Sequence, residues 1–363
     1  MVGSASKTAM WAGFGLAILI GTAGGAVFAY IRFPLPWMLG AMCACTAATL
    51  LRLPVRPVAA VRPFMTAIIG VLLGASFSPE QLASLTGWVP TLLGLVGYVL
   101  VCAVLVTPYF RLVAGMDLPT AFFSAMPGGV IEMMLVGEEK GGDGRTIALV
   151  HSARILFVVA AVPLIIAFLA DVTIVTGASA TRLSIAETSI MSELLLAGCV
   201  VVGMVAGRIL KLPARYLLGP MLISAAVHMT GATDFQPAAE VIILAQVVLG
   251  TLIGCRFAGV PPKRIGVILL VSAGSVTIML AIALFFAMGL AVVSPYGLEA
   301  ILLAYSPGGL NEMSLVALAM DLEVAFVSGH HIVRVILVVA LAQLLFRGAI
   351  RLAPRKTSDD SDA

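Results

Sequence analysis

The chain has 363 residues, of which 61% are apolar and 11% are charged, and its formal net charge is +3. Soluble domains are about 45–50% apolar and about 25% charged. This composition therefore excludes a soluble globular domain, a disordered chain and a coiled coil. The small, scattered net charge also provides no electrostatic footprint for nucleic acid. The class that remains is an all-α polytopic membrane protein.

Twelve apolar segments follow one another along the chain, separated by proline, glycine or charge. Their approximate spans are 8–30, 36–51, 63–77, 88–110, 118–136, 146–170, 189–207, 214–230, 239–255, 265–293, 298–319 and 324–350. Backbone in lipid must satisfy its own hydrogen bonds, so nearly all of this length is predicted to be helical. We interpret the first segment as an uncleaved helix rather than a signal peptide.

The second half of the chain repeats the first at an offset of 180 residues. The sequence P-G-G-V-I-E-M-M-L-V at 127–136 matches P-G-G-L-N-E-M-S-L-V at 307–316, and G-V-L-L-G-A-S-F at 70–77 matches G-T-L-I-G-C-R-F at 250–257. The same landmarks in the same order indicate a duplication. The predicted organisation is a membrane repeat at 1–170, a linker at 171–188, a second membrane repeat at 189–350 and a disordered cytoplasmic tail at 351–363.

Loop charge distinguishes parallel from inverted halves. Of the 21 Lys and Arg residues, 19 lie at segment ends, in loops or in tails. If all twelve segments crossed, those 19 would divide 10 to 9 between the two sides, against the positive-inside rule. If the PGG segments 118–136 and 298–319 enter and leave on one side, 17 share a side and only Arg32 and Arg182 oppose them. The prediction is two inverted repeats, each with about five crossing helices and one broken or re-entrant PGG segment.

The two helix breaks are the first candidate for a functional site. Each is a Pro-Gly-Gly sequence, a combination that cannot comfortably continue a helix, within apolar surroundings. Broken backbone at membrane depth is tolerated only where protein or a water-filled cavity covers it. The half-helix that follows presents free N–H groups, which suit an anion or a carboxylate. The candidate residues are Pro127, Gly128, Gly129, Pro307, Gly308, Gly309 and the neighbouring Asn311.

Ionisable residues follow each break at equivalent places. Glu132 and Glu312 are carboxylates within apolar segments, where a functional role is the default expectation. Each could bind H⁺ or Na⁺, cap the half-helix or pair with arginine. Arg154 and Arg334 are the bases within long apolar helices, and they could bind a substrate anion or neutralise these glutamates. His151 and His331 lie three residues earlier, on the same helical face as each arginine.

No catalytic signature accompanies these residues. The sequence contains no HExxH, Walker loop, G-x-S-x-G or dinucleotide fingerprint. We therefore predict that the protein is not an enzyme and needs no metal or cofactor, with H⁺ or Na⁺ coupling left open. The expected partners are a small-molecule solute and the lipid bilayer, without direct nucleic-acid binding; a homo-oligomer is left open.

The duplicated P-G-G-x-x-E-M block, followed about two dozen residues later by H-x-x-R, resembles the bacterial membrane family called AbrB over essentially the whole chain. That name is attached to regulation of aidB expression, and relatives are sometimes labelled ammonia monooxygenase. It is distinct from the soluble DNA-binding transition-state regulator of the same name. The resemblance implies a multi-pass protein of the bacterial inner membrane, with both termini cytoplasmic by the charge count above. A monooxygenase would need metal ligands that this sequence does not assemble.

Two functions remain open after the sequence. Inverted repeats with paired helix breaks are typical of secondary transporters, whose site lies at the interface of the repeats. The sequence thus favours transport of a small, anionic solute. The alternative, which the family label favours, is a membrane sensor or regulator that affects gene expression indirectly.

Overall fold

A computed structural model describes residues 2–77, 84–170, 184–231, 233 and 235–352. Within these ranges the secondary structure is helical, without strands. Most of the predicted linker 171–188, including Arg182, and nearly all of the predicted tail 351–363 lie outside the described residues.

The described residues form fourteen α-helices, and each of the first seven has a counterpart seven helices later. The first half contains α1 (Val2–Tyr30), α2 (Pro36–Leu50), α3 (Arg62–Gly74), α4 (Val89–Val113), α5 (Leu118–Ala125), α6 (Val130–Glu139) and α7 (Gly144–Ala170). The second half contains α8 (Ile190–Ile209), α9 (Arg215–Met229), α10 (Ala239–Gly254), α11 (Pro262–Leu290), α12 (Leu298–Tyr305), α13 (Leu310–Ala319) and α14 (Val324–Leu352). Three short 3₁₀ turns lie at Ala59–Val61, Ser84–Trp88 and Cys255–Phe257.

Seven of the described helices are long and apolar enough to cross a membrane. They are α1, α4, α7, α8, α10, α11 and α14. The remaining full crossings in our assignment, α2, α3 and α9, have only 13 to 15 residues each. A spanning helix needs about 17–25 residues, so these three helices are shorter than an ordinary spanning helix. The protein is a multi-pass membrane protein, as the composition predicts.

The two halves have opposite orientations. The equivalent helices α4 and α11 pack together, and a Cβ placed on Gly94, near the start of α4, would lie 2.8 Å from a methyl carbon of Leu290 at the end of α11. Near the other end of α4, the Tyr109 hydroxyl donates to the Val271 carbonyl oxygen at 3.0 Å, in the first half of α11. Early residues of one helix thus meet late residues of the other, so the two helices are antiparallel. The repeats are inverted.

Each PGG segment is a re-entrant hairpin. The backbone N–H of Asp143, which follows α6, donates to the Thr120 hydroxyl at the start of α5 at 2.8 Å. In the second half, the Tyr296 ring before α12 stacks on Phe326 at the start of α14, with ring centroids 4.0 Å apart. Both segments therefore enter and leave at one end of the helix bundle. The sequence favoured these two segments over the fourth or sixth segment of each half, because Pro-Gly-Gly cannot comfortably continue a helix.

The hairpins open at opposite faces of the molecule. At the face that we name the Asp143 face, Arg264 at the start of α11 pairs with Asp143 at the start of α7, at 3.0 Å. Partial burial raises the pKa of the Asp143 carboxyl, but hydrogen bonds from Thr146 and the charge of Arg264 outweigh this and hold that pKa below its usual range. At the opposite face, the Trp88 face, the Trp88 ring N–H donates to the Tyr296 hydroxyl at 2.8 Å.

The helices sort into two bundles. Helices α1–α3 pack with α8–α10 to form a six-helix bundle, while α4–α7 pack with α11–α14 to form an eight-helix bundle that contains both hairpins. The two bundles meet chiefly where α3 packs on α13 and where α2 packs on α7 and α11. Each bundle draws equally on both halves of the chain, which places the interface of the repeats inside each bundle and a second interface between the bundles.

Close helix crossings in the six-helix bundle depend on paired glycines. A Cβ on Gly219 of α9 would lie 2.0 Å from the Gly203 carbonyl oxygen of α8, and a Cβ on Gly40 of α2 would lie 2.3 Å from the Gly24 carbonyl oxygen of α1. Both distances are far below van der Waals contact, so no other residue fits at these crossings without moving the helices apart. The two crossings are equivalent by the repeat.

We expect Gly219→Val to lower the free energy of unfolding by about 1–3 kcal/mol, the usual cost of overpacking. The melting temperature of the detergent-purified protein measures this. The matched control is Gly198→Val on α8, where a Cβ meets nothing within 4 Å. If the two variants melted at the same temperature, the close crossing of α8 and α9 would be contradicted.

Candidate functional site

The first helix break is held by Arg154 from α7. Its guanidinium donates to the carbonyl oxygens of Met126 at 2.8 Å and Gly128 at 3.1 Å, on the two sides of Pro127. The last carbonyls of a helix have no partner within it and carry its negative dipole end. Arg154 supplies both the donors and the positive charge that the end of α5 requires, in a position where only 2% of its surface is exposed.

His151 completes this cap. The guanidinium of Arg154 lies 2.9 Å from His151 Nδ1, and His151 Nε2 lies 2.9 Å from the Phe123 carbonyl oxygen. Arginine can only donate, so Nδ1 accepts, Nε2 carries the proton, and the ring is neutral. The H-x-x-R spacing thus places two side chains against the last turn of α5.

The second break repeats the arginine contacts at the same offset of 180 residues, whereas neither ring nitrogen of His331 has a hydrogen-bond partner among the described residues. The Arg334 guanidinium on α14 donates to the Ser306 carbonyl oxygen and, at 2.8 Å, to the Gly308 carbonyl oxygen. Its exposure is also 2%, and His331 is fully buried. Pro127, Pro307 and Gly308 are buried, whereas Gly128, Gly129, Gly309 and Asn311 are partly exposed. The structure thus brings the P-G-G residues together with His151 and Arg154 in the first half and with Arg334 in the second.

The two glutamates cap the half-helices that leave the breaks. Glu132 and Glu312 are the third residues of α6 and α13, and each folds back on the glycine before its helix. A Cβ on Gly129 or on Gly309 would lie 2.0 Å from the Oε2 atom of the respective glutamate. This is the position from which a third-residue glutamate balances the positive end of a helix. A side chain on the second glycine of either P-G-G sequence would displace this carboxylate.

The arginines therefore contact neither of the glutamates with which the sequence could pair them. The one ion pair within the described ranges is Arg264 with Asp143. In this conformation the Arg154 and Arg334 donors face the carbonyl groups of the breaks. These contacts hold the hairpin tips in place.

A cavity of about 180 Å³ lies between the two bundles, beside the second break. Its lining residues are Ala59, Arg62, Leu249, Leu252, Ile253, Arg256 and Glu312. Arg62 begins α3, Arg256 follows α10, and Glu312 begins α13, so three elements from both bundles contribute the charged groups. Arg256 also donates to the Ser152 hydroxyl of α7 at 3.1 Å. This is a charged, partly enclosed space at the tip of a re-entrant hairpin.

The two halves differ at this point. Glu312 is 5% exposed and faces the cavity, whereas Glu132 is exposed. Helix α13 packs on α3, yet its counterpart α6 makes no packing of similar extent with α10, although both helices are fully described. The hairpins are equivalent in their internal contacts and unequal in their surroundings.

Sequence reasoning missed Arg62 and Arg256, which it counted among the bases at segment ends. One signal was present: within the repeated motif, Arg256 replaces Ser76 of the first half. A charged residue that interrupts an otherwise apolar match marks a place where the halves have different tasks. Among the described residues, no group of three or more His, Cys, Asp or Glu is arranged to hold a metal ion.

These features define a class: a multi-pass membrane protein of two inverted repeats, with paired re-entrant hairpins and a charged cavity at one hairpin tip. Residues 37–349 match the family described as "Transition state regulatory protein AbrB". The chain belongs to the AbrB family.

The chain is also similar to two named proteins. "Uncharacterized protein YhjN" of Bacillus subtilis (strain 168) is 30% identical over 245 residues, which are 64% of this chain and 63% of the relative. "Putative regulator AbrB" of Escherichia coli (strain K12) is 25% identical over 299 residues, which are 80% of this chain and 83% of the relative. The chain thus spans less than two thirds of the first relative's length and most of the second's.

We expect Arg334→Gln to lower the free energy of unfolding by about 3 kcal/mol or more, because a hydrogen bond to a charged group contributes roughly 1.5–3 kcal/mol and two are lost. Arg334→Lys keeps the charge but not the fork, and should lie between this variant and the unmodified protein. The melting temperature without added solute is the measurement. The control is Arg347→Gln, an exposed position on the same helix. An Arg334→Gln protein as stable as the control would show that this guanidinium serves a ligand alone.

Proposed function

We propose that this protein is a secondary transporter of a small, anionic solute, with its site between the two helix bundles. The observation that carries the proposal is the cavity lined by Arg62, Arg256 and Glu312, because a charged space at the tip of a broken helix has no evident structural purpose. Paired broken helices in inverted repeats are the usual surroundings of a transport site.

The two-bundle arrangement supplies a route for alternating access. Relative motion of the six-helix and eight-helix bundles would change the contact of α13 with α3 on one side and of α6 with α10 on the other. Because the first contact is extensive here and the second is not, the two sides of the molecule already differ. Because the repeats are equivalent and inverted, the protein can instead pack α6 on α10 and separate α13 from α3. The two resulting states would have similar energies.

The orientation follows from charge and is part of the proposal. The Asp143 face carries most of the arginines and lysines at helix ends, such as Arg52, Arg145 and Lys263. By the positive-inside rule this face is cytoplasmic, in the inner membrane of a bacterium, with both termini on the same side. The cavity lies on this side of the second break, so it would be reached from the cytoplasm.

A membrane sensor that affects gene expression is the second candidate, favoured by the printed descriptions of the family and of the Escherichia coli relative. It needs a partner, since the sequence provides no DNA-binding domain of its own. Catalysis is ranked last, and neither an enzyme activity nor a resident cofactor belongs to the proposal. A sensor would bind the solute without moving it.

Accessibility of the cavity tests the site without a known substrate. In a background with the five native cysteines replaced, Leu249→Cys should react with a membrane-impermeant maleimide added at the Asp143 face. Leu244→Cys on the same helix is the control, because it is 51% exposed on the outside of the protein, where lipid covers it. Equal, negligible labelling of both positions from both faces would remove the proposed pathway.

Flux then separates transporter from sensor. Proteoliposomes should accumulate at least one small anion, among lactate, succinate and phosphate, faster than empty liposomes, with a dependence on a pH or Na⁺ gradient. Binding of such an anion by folded protein without any flux, together with a stoichiometric co-purifying protein, would instead establish the sensor.

A further inference from the structure

The cavity beside the second break contains an unbalanced set of charges. Two arginines, Arg62 and Arg256, share it with one carboxylate, Glu312. Neither arginine lies within ion-pairing distance of a carboxylate, since the ion pair among the described residues is elsewhere. Removing charge from water in partly enclosed surroundings is costly unless the charge is compensated. The cavity therefore carries excess positive charge, which favours the binding of an anion.

We propose that this cavity binds a small oxyanion between Arg62 and Arg256, and that Glu312 takes up a proton as the anion enters. This inference rests on the proposed transport function and specifies the substrate class and the coupling ion of the same site. The guanidinium fork suits the planar, bidentate geometry of carboxylate or phosphate oxygens. The volume of about 180 Å³ admits a solute of a few non-hydrogen atoms.

The proton follows from the electrostatics of the three charges. With Glu312 ionised, the incoming anion competes with it for both arginines and is repelled by it. With Glu312 protonated, the arginines keep their full attraction for the anion. Proton and anion therefore assist each other's binding, and this coupling is reciprocal. No bond is formed or broken: the carboxylate gains a proton from water and returns it when the anion leaves.

Other ionisable groups near α13 are not among the cavity-lining residues. Helices α7 and α14 pack against it, and their charged or titratable side chains meet the breaks or the neighbouring core rather than the cavity. His151 and Arg154 contact carbonyl groups of the first break, Arg334 contacts those of the second, His330 lies 2.8 Å from the Thr91 hydroxyl, and His331 is buried. From α12, Tyr305 donates to the Thr91 carbonyl. Among the cavity-lining residues, Glu312 is thus the one carboxyl group that can accept a proton.

Glu132 does not share this role. It caps α6 as Glu312 caps α13, but it is exposed and the described cavity does not include it. The residue of the first half that is equivalent to Arg256 is Ser76, which carries no charge. The duplication therefore yields one coupled site rather than two.

Binding in nanodiscs of phosphatidylcholine tests the proposal, because these lipids carry no net charge and leave a soluble anion as the ligand. Calorimetric titration with lactate, succinate, phosphate and sulfate at pH 5.5 and pH 8 should find at least one anion that binds more tightly at the lower pH. A coupling of ordinary size makes the difference about 5- to 150-fold. Proton uptake should accompany binding in weakly buffered solution.

Variants assign the effect to residues. Glu312→Gln should keep the anion and lose both the pH dependence and the proton uptake. Arg62→Gln and Arg256→Gln should each abolish binding. Arg256→Lys keeps the charge and should restore part of the binding, which would show that the loss in Arg256→Gln is not a folding defect. Lys263→Gln and Glu139→Gln, exposed residues outside the cavity, should behave as the unmodified protein does.

The outcomes separate this inference from the transport function. Absence of binding by all four anions to folded protein, or binding that survives both Arg62→Gln and Arg256→Gln, overturns the anion site. Binding with unchanged pH dependence in Glu312→Gln overturns the proton. Flux that persists in these variants would support transport and refute the proposed binding site. Binding that depends on pH in the unmodified protein, without flux, would support the binding site and refute transport.

Discussion

The fold depends on satisfying backbone carbonyl groups at a helix break inside the membrane. A P-G-G sequence stops a half-helix among buried side chains, and its last carbonyls must find donors within the protein. Arg154 and Arg334 provide them from the long helix that follows each hairpin, so the hairpin, the turn and that helix form one unit in each half. Without this contact, re-entrant backbone could not remain at that depth. The conserved spacing between the P-G-G and H-x-x-R sequences within the chain reflects the distance from a hairpin tip to the helix that supports it.

Much of this could be predicted from the sequence, for a physical reason. Membrane insertion ties composition to helices, the duplication aligns the halves, and the positive-inside rule converts loop charge into topology. These three constraints, together with the inability of Pro-Gly-Gly to continue a helix comfortably, favoured the PGG segments as the ones that do not cross. The roles of Arg154 and Arg334 could not be predicted, because a buried arginine has several possible partners and sequence spacing does not choose among a carbonyl, a carboxylate and a solute.

Arg62 and Arg256 could not be recognised from the sequence for a different reason. Both are at helix ends, where most arginines of a membrane protein meet water and lipid headgroups, and nothing local distinguishes them. They become site residues only because α3, the end of α10 and the start of α13 converge, which is a property of packing between the two bundles. Comparing the two halves could have drawn attention to Arg256, because the equivalent residue of the first half is Ser76.

The two kinds of charge in this protein therefore have separate tasks. At each break, arginine compensates the negative end of one half-helix and glutamate compensates the positive end of the next, so the repeated motif is electrically balanced on its own. A balanced motif cannot by itself select an anion. The repeat is broken at Arg62 and Arg256, which add charge that the motif does not neutralise, beside a glutamate that is already placed by its capping role. The duplication supplies the scaffold, and the departure from duplication supplies the charged cavity on which the proposed solute specificity rests.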